Sequence, residues 1–122
     1  MTVAEAIARA DGLRQSPLTM SEKVRRLSEL DGKIKAEIID KHEGGEGVTF
    51  EPYTNDTMNR TLIVPFPYDE LYVYYLDMHA CYVMGEMERY TNAMTMFNTA
   101  YRSFSCQYVR THMPLQAKKR ML

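Results

Sequence analysis

The sequence predicts a mainly α fold, four helices in a bundle-like single domain, with a short β-hairpin or long loop between the second and third. Three observations lead there. Tyr90, Met94, Phe97, Tyr101, Phe104 and Tyr108 step by four, three, four, three and four residues, which sets all of them on one helical face. Two capping boxes, Thr2 with Glu5 and Thr19 with Glu22, each introduce apolar residues at helical spacing. Helix-breaking residues at Pro17, Gly44 to Gly47, Pro65, Pro67, Gly85 and Pro114 fall between the periodic segments. At 122 residues the chain suits one domain and can build one core.

The first helix follows Thr2 over about residues 2–13, with Val3, Ala6, Ile7 and Ala10 at helical spacing. The second covers about residues 21–41. Val24, Leu27, Ile34 and Ile38 share one face, and charged residues such as Arg25, Glu29 and Lys33 fill the others. Asp31-Gly32 is its weak point, because glycine inside a helix costs about 1 kcal/mol relative to alanine. It marks either a kink or a break with Asp31 capping a new start. Gly44, Gly45 and Gly47 end this helix. Between about residues 44 and 66, Val48 to Phe50 and Thr61 to Val64 favour extended backbone around a polar stretch. That pattern fits a hairpin or a long loop.

Pro67 suits the first turn of a third helix over about residues 68–84, with Asp69 and Glu70 at its positive end. Leu71, Tyr75, Met78 and Tyr82 lie on one of its faces. Gly85 then interrupts, and a fourth helix runs over about residues 86–112 until Pro114 stops it. Residues from about 114 to 122 read as a mobile basic tail.

Composition narrows the function. Hydrophobic content of 45% with 25% charged residues is that of a folded globular protein, which excludes wholesale disorder. A net charge of −1 gives no global electrostatic footprint for nucleic acid. No apolar run approaches the ~20 residues that span a bilayer, and the first residues lack a signal-peptide pattern. Cys81 and Cys106 fall on different helices, in apolar surroundings that suit buried, inert thiols.

Catalytic patterns are missing. His42, His79 and His112 stand far from metal-ligand spacing, and Gly44-Gly45-Glu46-Gly47 lacks the Lys-Ser/Thr of a phosphate loop. Ser16, Ser28 and Ser103 lack the glycine frame of a nucleophile elbow. No cofactor, metal or catalytic residue is therefore expected. His112 stands where a cation favours a helix C-terminus.

The marked feature is aromatic. Eleven of the thirteen Phe and Tyr residues lie between Phe66 and Tyr108, with methionines interleaved. The stripe Leu71, Tyr75, Met78, Tyr82, Tyr90, Met94, Phe97, Tyr101, Phe104 and Tyr108 reads as core between helices or as a subunit contact, where Tyr, Phe and Met are enriched. Tyr72, Tyr74 and Tyr75 cannot all share one face, so at least one points away from the core. Core for most of these residues, with the surplus covered by another subunit, is the favoured reading. Lys118, Lys119 and Arg120 offer a contact to phosphates or to a partner.

The chain resembles a family of small proteins from tailed phages and prophages of Gram-positive gut bacteria. The resemblance is carried by Thr2-Val3-Ala4-Glu5-Ala6-Ile7, by Leu27-Ser28-Glu29-Leu30-Asp31-Gly32 and by Val64-Pro65-Phe66-Pro67-Tyr68-Asp69-Glu70-Leu71-Tyr72. It continues through Gly85-Glu86-Met87-Glu88-Arg89-Tyr90 and the stretch from Met96 to Pro114, so it covers nearly the whole chain. That family is similar in length and helix order to head–tail connector, or adaptor, proteins. The resemblance implies a structural subunit in a ring-type homo-oligomer, joining portal and tail-completion proteins. Its implied place is the virion, and the host bacterial cytoplasm during assembly. Nucleic acid would be incidental and no membrane is involved. The segment from Thr49 to Val64 would be a reaching element, and the tail would order on assembly. The competing expectation is a small DNA-associated packaging or regulatory protein of a prophage.

Overall fold

The computed structural model describes residues 1–115 and is mainly helical. Helix α1 spans Val3–Leu13, α2 Met20–Glu37, α3 Glu70–Val83 and α4 Met87–Thr111. Short 3-10 turns at Ile39–Lys41 and Gly45–Gly47 follow α2. Among the described residues the order and number of α-helices agree with the sequence reading. The second helix stops at Glu37, earlier than expected, because its last turn tightens into the first 3-10 turn.

Both threonine caps form. Thr2 Oγ1 accepts the Glu5 amide at 3.2 Å, and Thr19 Oγ1 accepts the Glu22 amide at 3.2 Å. The remaining free amides at the start of α1 are satisfied by the long connection. Val3 N–H donates to the Arg60 carbonyl at 3.1 Å and Ala4 N–H to the Met58 carbonyl at 2.9 Å. Leu62 N–H donates back to the Met1 carbonyl at 2.9 Å.

That connection is an irregular strap. Among the described residues there is no strand, only single bridges pairing Thr2 with Thr61 and His42 with Pro114. The hairpin alternative is thus replaced by the loop. Of its two extended runs, the second pairs with the start of α1 through Thr61 and Leu62, and among the described residues the two runs do not pair with each other. Nor does the strap stand free of the body, since Tyr53, Leu62 and Val64 are buried in the core, while the tip around Asn55 and intervening residues such as Thr49, Glu51, Asn59 and Thr61 are exposed. The entry to the strap depends on Gly45, where a Cβ would stand 2.1 Å from the Ile39 carbonyl oxygen, closer than any side chain permits.

Helix α2 runs unbroken through Asp31-Gly32, correcting the expected kink or break. Asp31 is fully buried, and its oxygens bond other elements instead of capping a helix start. Gly32 keeps helical geometry under the Phe50 ring, where an added Cβ would meet Phe50 Cε1 at an ordinary 3.5 Å. Gly32→Ala is therefore expected to raise stability by about 0.5–1 kcal/mol, read as a higher denaturation midpoint in urea.

Helix α3 is the central element and packs against α1, α2 and α4. It buries Leu71, Tyr72, Val73, Leu76, Met78, Ala80 and Cys81, nearly its whole circumference, as a core helix does. The helix begins two residues after Tyr68, following a turn in which the Tyr68 amide donates to the Pro65 carbonyl at 2.9 Å. Pro67 consequently precedes the helix and is not in its first turn. Polar ties hold α1 to its neighbours. Lys23 of α2 reaches Asp11 at 2.9 Å, while Arg9 and Arg14 pair with Glu70 and Asp77 of α3. Gly85 turns the chain from α3 into α4 with φ 74°, a left-handed conformation that favours glycine.

Candidate functional site

The predicted stripe assembles into a seam. Tyr75 of α3 meets Phe97 of α4 with ring centroids 5.1 Å apart, Phe97 meets Tyr101 at 5.7 Å, and Phe104 meets Tyr108 at 5.8 Å. Tyr68 approaches Phe104 at 6.4 Å. Leu71, Met78 and Phe104 are buried, and Tyr75, Tyr90, Met94, Phe97, Tyr101 and Tyr108 are partly covered. This part of the stripe is core and core edge. Of the crowded tyrosines, Tyr72 is fully buried while Tyr74 and Tyr75 stand at the margin.

Tyr82 departs from the stripe. It is 60% exposed at the corner where α3 turns into α4, its ring tilted against that of Tyr90 with centroids 5.5 Å apart. Val83 and Met87 beside it are each more than half exposed, and Met84 is exposed too. The corner therefore presents four large apolar side chains to solvent around Gly85. Helix α4 shares this character along its length. Of its 25 residues only Ala93 and Phe104 are buried; Val109 is exposed on the outer side, and Met96 is exposed beside the groove to α3. A helix anchored at so few points leaves an unusually large free surface. Contiguous exposed apolar side chains of this kind mark contact sites for other macromolecules.

A second feature is polar and lies inside. Asp31 Oδ1 accepts the Tyr72 hydroxyl at 2.5 Å, and Oδ2 accepts the Tyr53 hydroxyl at 2.5 Å and the Ile63 amide at 3.1 Å. Tyr72 Oη in turn accepts the Val64 amide at 2.8 Å, and Ser28 Oγ accepts the Tyr53 amide at 3.0 Å. One carboxylate thus ties α2 to α3 and to both halves of the strap. Burial pushes its pKa up, while the hydrogen bonds from Tyr53 and Tyr72 pull it down. Burial and the neighbouring carboxylate raise both tyrosines. Asp31, Tyr53 and Tyr72 are buried and each of their side-chain oxygens has a partner, so the chemistry of the cluster is that of a clamp.

The remaining candidates lie apart from one another. Cys81 is buried, and burial raises its thiol above the usual value. Cys106 is exposed, contrary to the expectation that both thiols are covered, because it lies on the outer side of α4. His112 Nδ1 lies 3.0 Å from the Tyr108 carbonyl oxygen at the end of α4, as expected of a helix-end histidine, and its ring stacks on Tyr108 at 3.8 Å. His42 packs edgewise on Tyr108, and Glu43 N–H donates to the Met113 carbonyl at 3.0 Å. Met113 and Pro114 thereby pair with the segment that follows the first 3-10 turn, at the start of the expected tail. Lys118, Lys119 and Arg120 lie outside the described residues. Among the described residues no group of three His, Cys, Asp or Glu side chains is placed to hold a metal, and no helix is long and apolar enough to cross a membrane.

His79 is half-buried beside the Tyr75 ring, centroids 4.6 Å apart, and its Nε2 has no hydrogen-bond partner among the described residues. Burial, with help from Arg26, lowers its pKa from 6.5 to about 4. A depressed base binds fewer protons folded than unfolded. The stability this residue contributes is therefore present above 6.5 and lost as pH falls from 6.5 to about 4. His79→Leu is expected to flatten that part of the stability profile, measured by urea denaturation at pH 7, 5.5 and 4.

Compared with known proteins, the chain matches no family model, and no curated protein or solved structure is significantly similar to it.

Proposed function

We propose that this chain is a structural assembly subunit, a head–tail connector of a tailed phage or prophage. Copies would form a ring that joins the portal to tail-completion proteins, in the virion and, before that, in the host cytoplasm during assembly. The observation that carries the reading is the α3–α4 corner, where Tyr82, Val83, Met84 and Met87 stand exposed around a single glycine turn. Large apolar side chains in water gain roughly 25 cal/mol for each Å² that a partner covers. The family resemblance supplies the identity of the partners, and the exposed corner supplies a place for one to bind.

Induction of the parent lysogen with this gene deleted tests the proposal. DNA-filled heads without tails are the expected product, with tails restored by the wild-type gene and not by the double variant Val83→Asp, Met87→Asp. Circular dichroism and melting of the purified variant establish that it remains folded. Complete infectious particles from the deletion strain would refute the assignment.

A further inference from the structure

The outer face of α4 carries a symmetry that the connector reading does not require. Thr95 lies nine residues from the buried Phe104, so the two point about 180° apart around the helix. Thr95 therefore marks the outermost line of α4. Glu88 and Arg102 stand seven residues to either side of it and fall within about 20° of the same line. Thr91 and Thr99 flank Thr95 at four residues, and Asn92 and Asn98 at three. All seven side chains are exposed. The face is thus a chemical palindrome centred on Thr95, with opposite charges at its two ends.

Two further observations set this face apart from an ordinary solvated one. No charged residue occurs between Tyr90 and Tyr101, although 25% of the chain is charged. Depletion of charge is the compositional mark of an interface centre. The hydroxyls of Thr91 and Thr95 donate to the carbonyls of Met87 and Thr91, each at 3.0 Å. Both groups are thereby satisfied within the helix. Glu88 and Arg102, by contrast, make no ion pair among the described residues, whereas the adjacent Arg89 pairs with Glu86 at 3.2 Å.

We propose that the outer face of α4 binds the same face of a second copy of this chain, antiparallel, about a two-fold axis at Thr95. A two-fold contact is self-complementary: whatever residue i meets on the partner, the partner's copy of i meets in return. Antiparallel packing about Thr95 brings Glu88 of each copy to Arg102 of the other, forming two ion pairs at the ends. Asn92 meets Asn98 and Thr91 meets Thr99, pairing amide with amide and small side chain with small side chain. Short side chains along the centre let the two helices approach closely. Parallel pairing would instead set Glu88 against Glu88 and Arg102 against Arg102, which like-charge repulsion disfavours. The contact is distinct from ring closure, which needs two different surfaces on each subunit.

Sedimentation of the full chain across a concentration series at low ionic strength tests the pairing. The expected species is a dimer of twice 14.2 kDa. Glu88→Arg and Arg102→Glu are each expected to weaken it at least about tenfold, since each places two like-charge pairs in the contact. The double swap E88R/R102E restores the original affinity, because it recreates both ion pairs with the signs exchanged. Thr95→Cys in a Cys106→Ser background is expected to form an intermolecular disulfide under mild oxidation. Unchanged circular dichroism and melting show that each variant is folded. A monomer at every concentration, a higher-order ring, a dimer indifferent to the single reversals, or single reversals not rescued by the swap would each overturn the pairing. These readings concern the isolated chain, so they stand or fall separately from the particle-assembly experiment.

Discussion

Asp31→Ala is expected to lower folding stability by about 4 kcal/mol, the largest loss for any polar side chain in the fold. The carboxylate receives the hydroxyls of Tyr53 and Tyr72 and the amide of Ile63. Removing it orphans two buried hydroxyls and one part-buried amide, and each orphaned group costs about 1–3 kcal/mol. A domain of this size has a total stability of roughly 5–15 kcal/mol, so the variant should melt some 15 °C lower. The strap would loosen first, visible as faster amide exchange at Ile63 and Val64. Asp31→Asn keeps the shape but offers one acceptor oxygen in place of two, and should lose about half as much. The pH dependence has a definite sign. Burial raises the folded-state pKa above the ordinary 3.8, so the residue's own titration contributes stability below 3.8, and that contribution is lost as pH rises through the folded value. The gap between wild type and Asp31→Ala should therefore be widest in acid.

Phe104→Ala should cost about 4 kcal/mol by a different route. Phe104 is one of only two buried residues on α4 and sits between Tyr68 and Tyr108. Its loss opens a cavity beneath a helix that has few other anchors. Where α2 or α3 could collapse onto neighbours from several sides, α4 touches the body along one seam. The expected signature is loss of protection from Tyr101 to Thr111 well below the global unfolding transition, followed by a melting temperature lower by about 15 °C. A cooperative transition displaced by a degree or two would mean that α4 is held by something other than this side chain.

The helices were legible because each carries its own local signal. Thr2 and Thr19 cap as their spacing with Glu5 and Glu22 suggests, and the four–three rhythm from Tyr90 to Tyr108 places those residues on the seam with α3. Helix α3 was harder to read. Its apolar residues surround the axis, so the face containing Leu71 and Met78 hid the equally buried face of Tyr72 and Leu76. The Asp31 clamp was missed for a reason that the sequence itself contains. Val24, Leu27, Ile34 and Ile38 leave one gap in their apolar stripe, and Asp31 fills it. An acid on an apolar stripe must be buried and partnered, but the adjacent glycine drew the reading toward a helix break. Its partners, Tyr53 and Tyr72, lie 22 and 41 residues away, beyond the reach of local pattern. The strap shows the same limit, since its second β-prone run pairs with the start of α1 and not with the first run.

Methionine supplies the most direct test of whether the corner and outer α4 exist to be covered by protein. Met84, Met87 and Met96 are exposed in the subunit, and Met78 of α3 is buried. Brief peroxide treatment followed by peptide mass spectrometry reports the access of oxidant to each thioether, and free subunit and assembled particle can be compared directly. The account predicts that Met84 and Met87 oxidise readily in the free chain and become protected in the particle, with Met78 protected in both. Equal oxidation of Met84 and Met87 in the two states would show that this surface stays in water, and would contradict it.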